Sequence, residues 1–162
     1  MDDERSISIE DRMAIHDLIA RYGWSLDTGD IDGFVDCFVT DATLCEDVFE
    51  EADTFVGHDA IRGMARFFAD LPMFPGRQHH VSNILVEGAG PRCHVRAYCM
   101  VTDATAGPGG AIAFCGHYDD VVVKQDGRWR FETRLIRHWS GEVLARFPGQ
   151  DGTKVARKRP TG

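Results

Sequence analysis

The chain predicts an α+β domain, with helices from its first half packed on one face of a curved, cone-shaped antiparallel sheet made by its second half. Two observations carry this prediction and a third bounds it. Apolar residues recur at spacings of three and four as far as about Leu71, and change to strand-like alternation after the Pro72 to Pro75 segment. A hydrophobic share of 43%, with 10% aromatics, in 162 residues is enough to fill one core. There is no internal repeat and no linker, so the chain reads as a single domain over residues 1–162 with its core between about 9 and 140.

The first helix is expected from Ile9 to about Asp27, because Ile15, Leu18, Ile19, Tyr22 and Leu26 fall on one stripe. Ser8, with Asp11 three residues on, is a weakened capping box. "DTGDIDGF" is a turn rich in Asp and Gly, after which Phe34, Val35 and Phe38 suggest a short second helix. A third fits "HDAIRGMARFFADL", where Ile61, Met64, Ala65 and Phe68 share a face and Pro72 ends the run. The strands expected next are "HHVSNILVEG", "CHVRAYCMVTD", "AIAFCGHYDDVVVKQDG" and "RWRFETRLIRHW". They are bounded by "GAGP", "TAGPGG" and "QDG", the last a hairpin signal with Gly127 at the turn.

A net charge of −8 and a pI near 5.3 argue against nucleic acid, whose phosphates an acidic surface repels. The exception is the tail, where Lys154, Arg157, Lys158 and Arg159 gather in "KVARKRP"; over 151–162 it is expected to be a disordered, solvated end. The five cysteines are odd in number, lack any C-x-x-C pair and sit mostly among apolar neighbours. They read as small buried hydrophobes in a reducing compartment, with no disulfide framework. "MDDERSIS" lacks the basic start of a signal peptide, and nowhere do about eighteen apolar residues run together, so no membrane span and a cytoplasmic location are expected.

"RQHHVSN" sets His79 and His80 side by side at the mouth of a strand. Alternation places His79, Val81, Asn83 and Leu85 on one side and His80, Ser82, Ile84 and Val86 on the other, so one histidine at most faces a given pocket. Adjacent strand residues do not both reach one ion without a bulge, and no H-x-H or H-x-x-x-H supplies a second ligand. His94 and His117 are the other strand histidines, but no metal and no cofactor are expected. The residues alone leave open which histidine turns inward, or whether either is more than a strand-end residue bonded to a backbone carbonyl. Tyr22 and Asp27 point roughly 140° apart on a regular helix, so they share a pocket only if the helix ends first and "LDTGD" frees Asp27 to turn inward. An Asp in that setting is otherwise a turn former. Trp24, Trp129 and Trp139 read as core or rim residues, and Arg134 and Arg137 as a solvated sheet edge rather than partners of an anionic substrate.

The order of "IHDLIARYGWSLDTGDIDGFVDCFVTDATL", "GHDAIRGM", "RQHHVSN" and "GHYDDVVVKQDGRWRF" resembles the SnoaL-like branch of the nuclear transport factor 2-like superfamily. That branch includes polyketide cyclases, scytalone dehydratase, bile acid 7α-dehydratase and hexachlorocyclohexane dehydrochlorinase. The resemblance covers roughly Ile9 to Arg137. It implies a cystatin-like α+β barrel or cone enclosing a deep apolar pocket, in a homodimer or homotrimer. The superfamily's lyases use a His/Asp pair, with an Asp from the end of the first helix, a His from the start of a strand and sometimes a Tyr on that helix. The matching positions are Asp27, His79 and Tyr22. Tyr118 matches a polar pocket position, and the substrate-binding set implied is Tyr118, His80, Asn83, Tyr98, Trp24 and Met100. In one departure, the strand that gives several relatives a further acid or histidine reads "AYCMVTD", with Met100 and Val101 as the expected inward residues and Asp103 at the strand end. The function implied is a cofactor-independent lyase or isomerase, dehydratase- or cyclase-like, acting on a small apolar polyketide, steroid, terpenoid or aromatic. The alternatives are a non-catalytic carrier and an accessory β-type subunit of a ring-hydroxylating dioxygenase. Fold does not choose among them.

Overall fold

The computed structural model describes residues 7–160. Helix α1 (Ile9–Thr28) begins where the Ser8 side chain accepts a hydrogen bond from the Asp11 N–H, and it ends at Gly29, whose left-handed backbone (φ 73°) few other residues adopt. Asp30 then caps α2 (Ile31–Asp36) by accepting from the Gly33 N–H at 2.9 Å. α3 (Gly57–Ala69) buries Ile61, Met64 and Ala65. None of these helices is long and apolar enough to cross a membrane.

The strands are β1 (Phe38–Asp47), β2 (Asp53–Val56), β3 (Arg77–Ala89), β4 (Arg92–Asp103), β5 (Ala111–Gln125) and β6 (Arg128–His138). They form one sheet in the order β2-β1-β6-β5-β4-β3. The α+β class and the helical layer on a curved sheet are as the sequence predicts, with two refinements. β1 and β2 arise in the first half, where helices alone were expected, and Phe38 opens β1 rather than extending α2. β1 also pairs parallel with β6, so the sheet is mixed and unclosed; the antiparallel ladder runs from β3 to β6. The β5–β6 hairpin turns at Asp126 and Gly127, both with positive φ, as a two-residue loop of right-handed twist requires.

Packing follows the alternation. Tyr22 and Phe34 from the helices meet Phe38, Tyr118 and Phe131 from the sheet, with the ring centroid of Tyr22 5.0 to 6.1 Å from the other four. Asp11 ties the start of α1 to the β5–β6 hairpin by accepting from Trp129 Nε1 and Lys124 Nζ, each at 2.7 Å. Gly116 is obligatory, because a Cβ there would run into the Arg137 carbonyl oxygen and the Phe114 ring.

Two expectations change. Arg134 is not at a solvated edge: it is fully buried and paired with Asp120, because β6 lies inside the sheet between β1 and β5. Arg137 is part exposed and pairs with Asp47. Of the segment expected as a disordered end, residues 161–162 lie outside the described residues; the rest follows a 3₁₀ helix (Gly141–Arg146) back to the segment just after β1, where Arg157 bridges Phe49 and its N–H donates to the Val48 carbonyl at 2.8 Å. Lys154 and Arg159 fasten it to Asp47 and Asp53.

Candidate functional site

Between the helices and the concave face of the sheet lies a cavity of about 370 Å³. Its apolar wall comes from Leu26, Phe68, Leu71 and Phe74 on one side and Val101, Phe114 and Ile136 on the other. Such a chamber accepts a small, largely apolar molecule and leaves its few polar groups to orient it.

His79 is among those groups, and Asp27 holds it at two points. One carboxylate oxygen accepts the His79 backbone N–H at 2.7 Å; the other contacts the ring Nδ1 at 2.5 Å. A carboxylate oxygen there accepts, so it is Nδ1–H that donates, and in the neutral ring this tautomer leaves the lone pair on Nε2. Both side chains are largely withdrawn from solvent, at 12% and 15% exposure. The helix does not end before Asp27, as the sequence reading required; it continues to Thr28. Asp27 instead reaches β3 sideways from the face it shares with Gly23, four residues earlier, where a Cβ would stand 3.6 Å from the His79 Cβ. Tyr22 and Leu26 occupy the neighbouring stripe and line the cavity itself.

Tyr118 also lines the cavity, and its hydroxyl accepts from Cys99 Sγ at 2.9 Å. Burial pushes the Tyr22 and Tyr118 phenols above their ordinary range and the Cys99 thiol up to about 11, so all three stay protonated near neutrality. Two neutral phenols facing an apolar space are hydrogen-bond donors for an oxygen that gains negative charge.

The remaining candidates turn elsewhere. Ala97, Cys99 and Val101 take the inward positions of β4, so Tyr98 and Met100 project from the outer face, 45% and 36% exposed. His80 is outward too, its Nε2 3.0 Å from Thr102 Oγ1. Asn83 does not share the face of His79, because it sits at a bulge with φ 52° where β3 shifts register between Ser82 and Leu85. With Tyr98 and Trp139 it lines a second hollow, of about 700 Å³, on the outer face. Trp24, two positions beyond Tyr22 and so on the far side of α1, is 73% exposed. Among the described residues no three His, Cys, Asp or Glu side chains group so as to hold a metal ion.

The charged residues of the cavity escaped the sequence reading: Glu46, Arg77 and, from the C-terminal segment, Arg157, Lys158 and Arg159. The alternation Ala42, Leu44, Glu46 marks the inward face of β1, and only an unrecognised strand hid it. Burial, and secondly the carboxylate of its ladder partner Asp53, push Glu46 up to about 7, and its Oε2 has no partner. Folded Glu46 thus keeps a proton that the unfolded chain has released above about 4.5, so its contribution to stability is full below that value and is lost as pH rises through about 7. Glu46→Gln, uncharged throughout, is expected to flatten the stability profile across that window, as read from urea midpoints; an unchanged slope would place the titration elsewhere.

A family model described as a SnoaL-like domain matches residues 8–135. Among curated protein sequences none matches the chain. Among solved structures, Rv3472, a function-unknown protein of Mycobacterium tuberculosis, is 30% identical, with 81% of this chain and 77% of that one covered and a TM-score of 0.72. A putative scytalone dehydratase of Novosphingobium aromaticivorans is 26% identical, with 80% and 85% covered and a TM-score of 0.69. The β subunit of a putative aromatic-ring-hydroxylating dioxygenase from the same organism shares the fold at 18% identity, with 82% and 92% covered and a TM-score of 0.66.

Proposed function

Since the chain belongs to the SnoaL-like domain family, we propose that it is a cofactor-independent lyase or isomerase that moves a proton on a small, largely apolar molecule held in the cavity. The observation that carries this reading is the two-point grip of Asp27 on His79 at the cavity wall. His79 Nε2 takes a proton from carbon next to a carbonyl or leaving group, and Asp27 fixes the tautomer and stabilises the imidazolium that forms. Tyr22 and Tyr118 donate to the oxygen on which charge develops, and the imidazolium returns its proton to a new carbon or to the departing group. Polyketide, steroid, terpenoid and aromatic skeletons all suit the apolar walls. A carrier or an accessory subunit would use the same chamber, but neither role calls for an imidazole base oriented by a carboxylate.

The direct test is proton exchange in D₂O with a panel of enolisable aryl ketones and cyclic diketones. Compounds that bind in the cavity are expected to lose their α-proton NMR signals faster than in buffer alone. Binding with no accelerated exchange and no other turnover would favour a carrier, and co-purification of a larger subunit would favour the accessory role.

Self-association is part of the same reading. Leu85, Tyr98, Met100, Ile112 and Trp139 lie exposed on the outer side of the molecule, more apolar surface than a solvated sheet needs. A homodimer or homotrimer is expected in sedimentation, and a monomer of 18.1 kDa alone at micromolar concentration would count against it. The five free cysteines suit a reducing compartment such as the cytoplasm.

A further inference from the structure

Arg77 opens β3 two residues before His79, so alternation turns both side chains to the cavity about 7 Å apart along the strand. Arg157 arrives from the opposite direction, on the C-terminal segment held just after β1 by its own backbone bridge. Each guanidinium rests near an aromatic ring of the cavity wall, Arg77 5.7 Å from the centroid of Phe74 and Arg157 5.8 Å from that of Phe114. Burial, and then the charge of Arg77, pull Arg157 below its ordinary range, which reports two like charges facing each other in a partly desolvated place.

Among the described residues no carboxylate pairs with either group, and Arg77 Nε is buried without a partner. The acids close by are otherwise engaged. Asp103, opposite Arg77 in the ladder, accepts from the Thr105 N–H and hydroxyl at 2.9 and 2.7 Å. Asp53 is paired with Arg159. Glu46, the remaining acid on that side, tends toward its neutral form. Glu46 and Asp103 act on Arg157 and Arg77 only through space, without a direct pair, and two half-buried guanidiniums held so leave room for a third party with a planar oxyanion, since the guanidinium fork matches a carboxylate at two points.

We propose that Arg77 and Arg157 form an anion subsite at the cavity mouth, so that the molecule taken by this protein is an apolar acid: a hydrophobic skeleton that fills the chamber and bears one carboxylate. The inference deepens the lyase or isomerase reading and rests on it for the word substrate.

The test compares two fluorescent probes on the full chain: 8-anilino-1-naphthalenesulfonate and its uncharged parent N-phenyl-1-naphthylamine. The wild type is expected to bind the anionic probe at least about tenfold more tightly than the neutral one, the size of a charge-assisted hydrogen bond. Arg77→Gln and Arg157→Gln should each reduce that preference several-fold, and together abolish it, while the neutral probe binds unchanged and so reports an intact cavity. Arg77→Lys, which keeps the charge but loses the fork, should fall between. A wild-type ratio near one, or a ratio untouched by the double substitution, would overturn the proposal and leave the arginines as fasteners of the C-terminal segment. His79→Ala separates the two readings, because it removes the base and must leave the probe ratio where it was. A chain with no turnover but a strong, arginine-dependent ratio would refute the enzyme and keep the anion site.

Discussion

Asp27→Asn is expected to lower turnover by about 10² to 10⁴-fold while the protein stays folded and the cavity keeps its size. The amide can still accept the His79 backbone N–H, so β3 remains docked on α1. What it loses is the charge that fixes the proton on Nδ1 and offsets the imidazolium; an amide NH₂ turned toward Nδ1 would favour the other tautomer and leave Nε2 protonated, with no lone pair for the substrate. His79→Ala should give a loss of similar size by removing the base outright, and the two changes together should cost little more than either, because groups that act as a unit are not additive. His80→Ala is the internal control: its ring lies on the other face beside Thr102, and its activity should match the wild type within about twofold. Rates of exchange or elimination on any substrate found by the D₂O screen supply the measurement. Equal losses at His79 and His80, or an active Asp27→Asn variant, would remove the dyad from the mechanism.

Asp120→Ala is expected to give the largest loss of stability in the chain, about 3–5 kcal/mol, a large part of the roughly 5–15 kcal/mol that a domain of this kind has. Asp120 and Arg134 are both fully buried and joined by two parallel hydrogen bonds of 3.0 and 2.7 Å. The guanidinium carbon also lies 4.0 Å from the ring centroids of Tyr22, Tyr118 and Phe131. Removing the carboxylate strands a cation in the centre of the core, where the rings supply only the negative faces of their quadrupoles. Asp32→Ala is the matched comparison, since its pair with Arg62 is at the surface and 89% exposed at the acid, where such pairs contribute about 0–1 kcal/mol. Urea denaturation of both variants decides the matter: a loss at Asp120 no larger than at Asp32 would mean that the aromatic cage alone can hold the charge.

Much of this architecture is legible in the residues because two periods do not mimic each other. Ile15, Leu18, Ile19, Tyr22 and Leu26 are all buried on α1, and the four long strands fall where alternation and glycine-rich turns put them. β1 was hidden because its inward residues include Glu46 beside the apolar ones and because it follows directly on a short helix. The path of the C-terminal segment was hidden for a different reason. It is fixed by partners about a hundred positions away, Lys154 on Asp47 and Arg159 on Asp53, and no local pattern encodes such pairs. At the candidate site, the residues alone left His79 and His80 undecided, while the family resemblance pointed to Asp27 with His79, the two side chains that are in contact. The wall residues Tyr98 and Met100 were misplaced by one step of the β4 alternation, and Asn83 by a bulge that single-strand counting does not see.

That bulge makes the histidine doublet a question of parity. Seven positions separate His79 from Val86, an odd interval that a regular strand would divide between its two faces, yet both turn inward because Asn83 and Ile84 together stand opposite Ala97. The site therefore tolerates a change of length better than a change of shape. Loss of residue 83 altogether would leave an even interval and keep His79 on the cavity side. A β-branched residue in its place, which resists the left-handed backbone, would favour a straight strand in which His80 takes the inward position and Asp27 faces the wrong ring. Which histidine faces the cavity is therefore fixed by the bulge and not by the start of the strand.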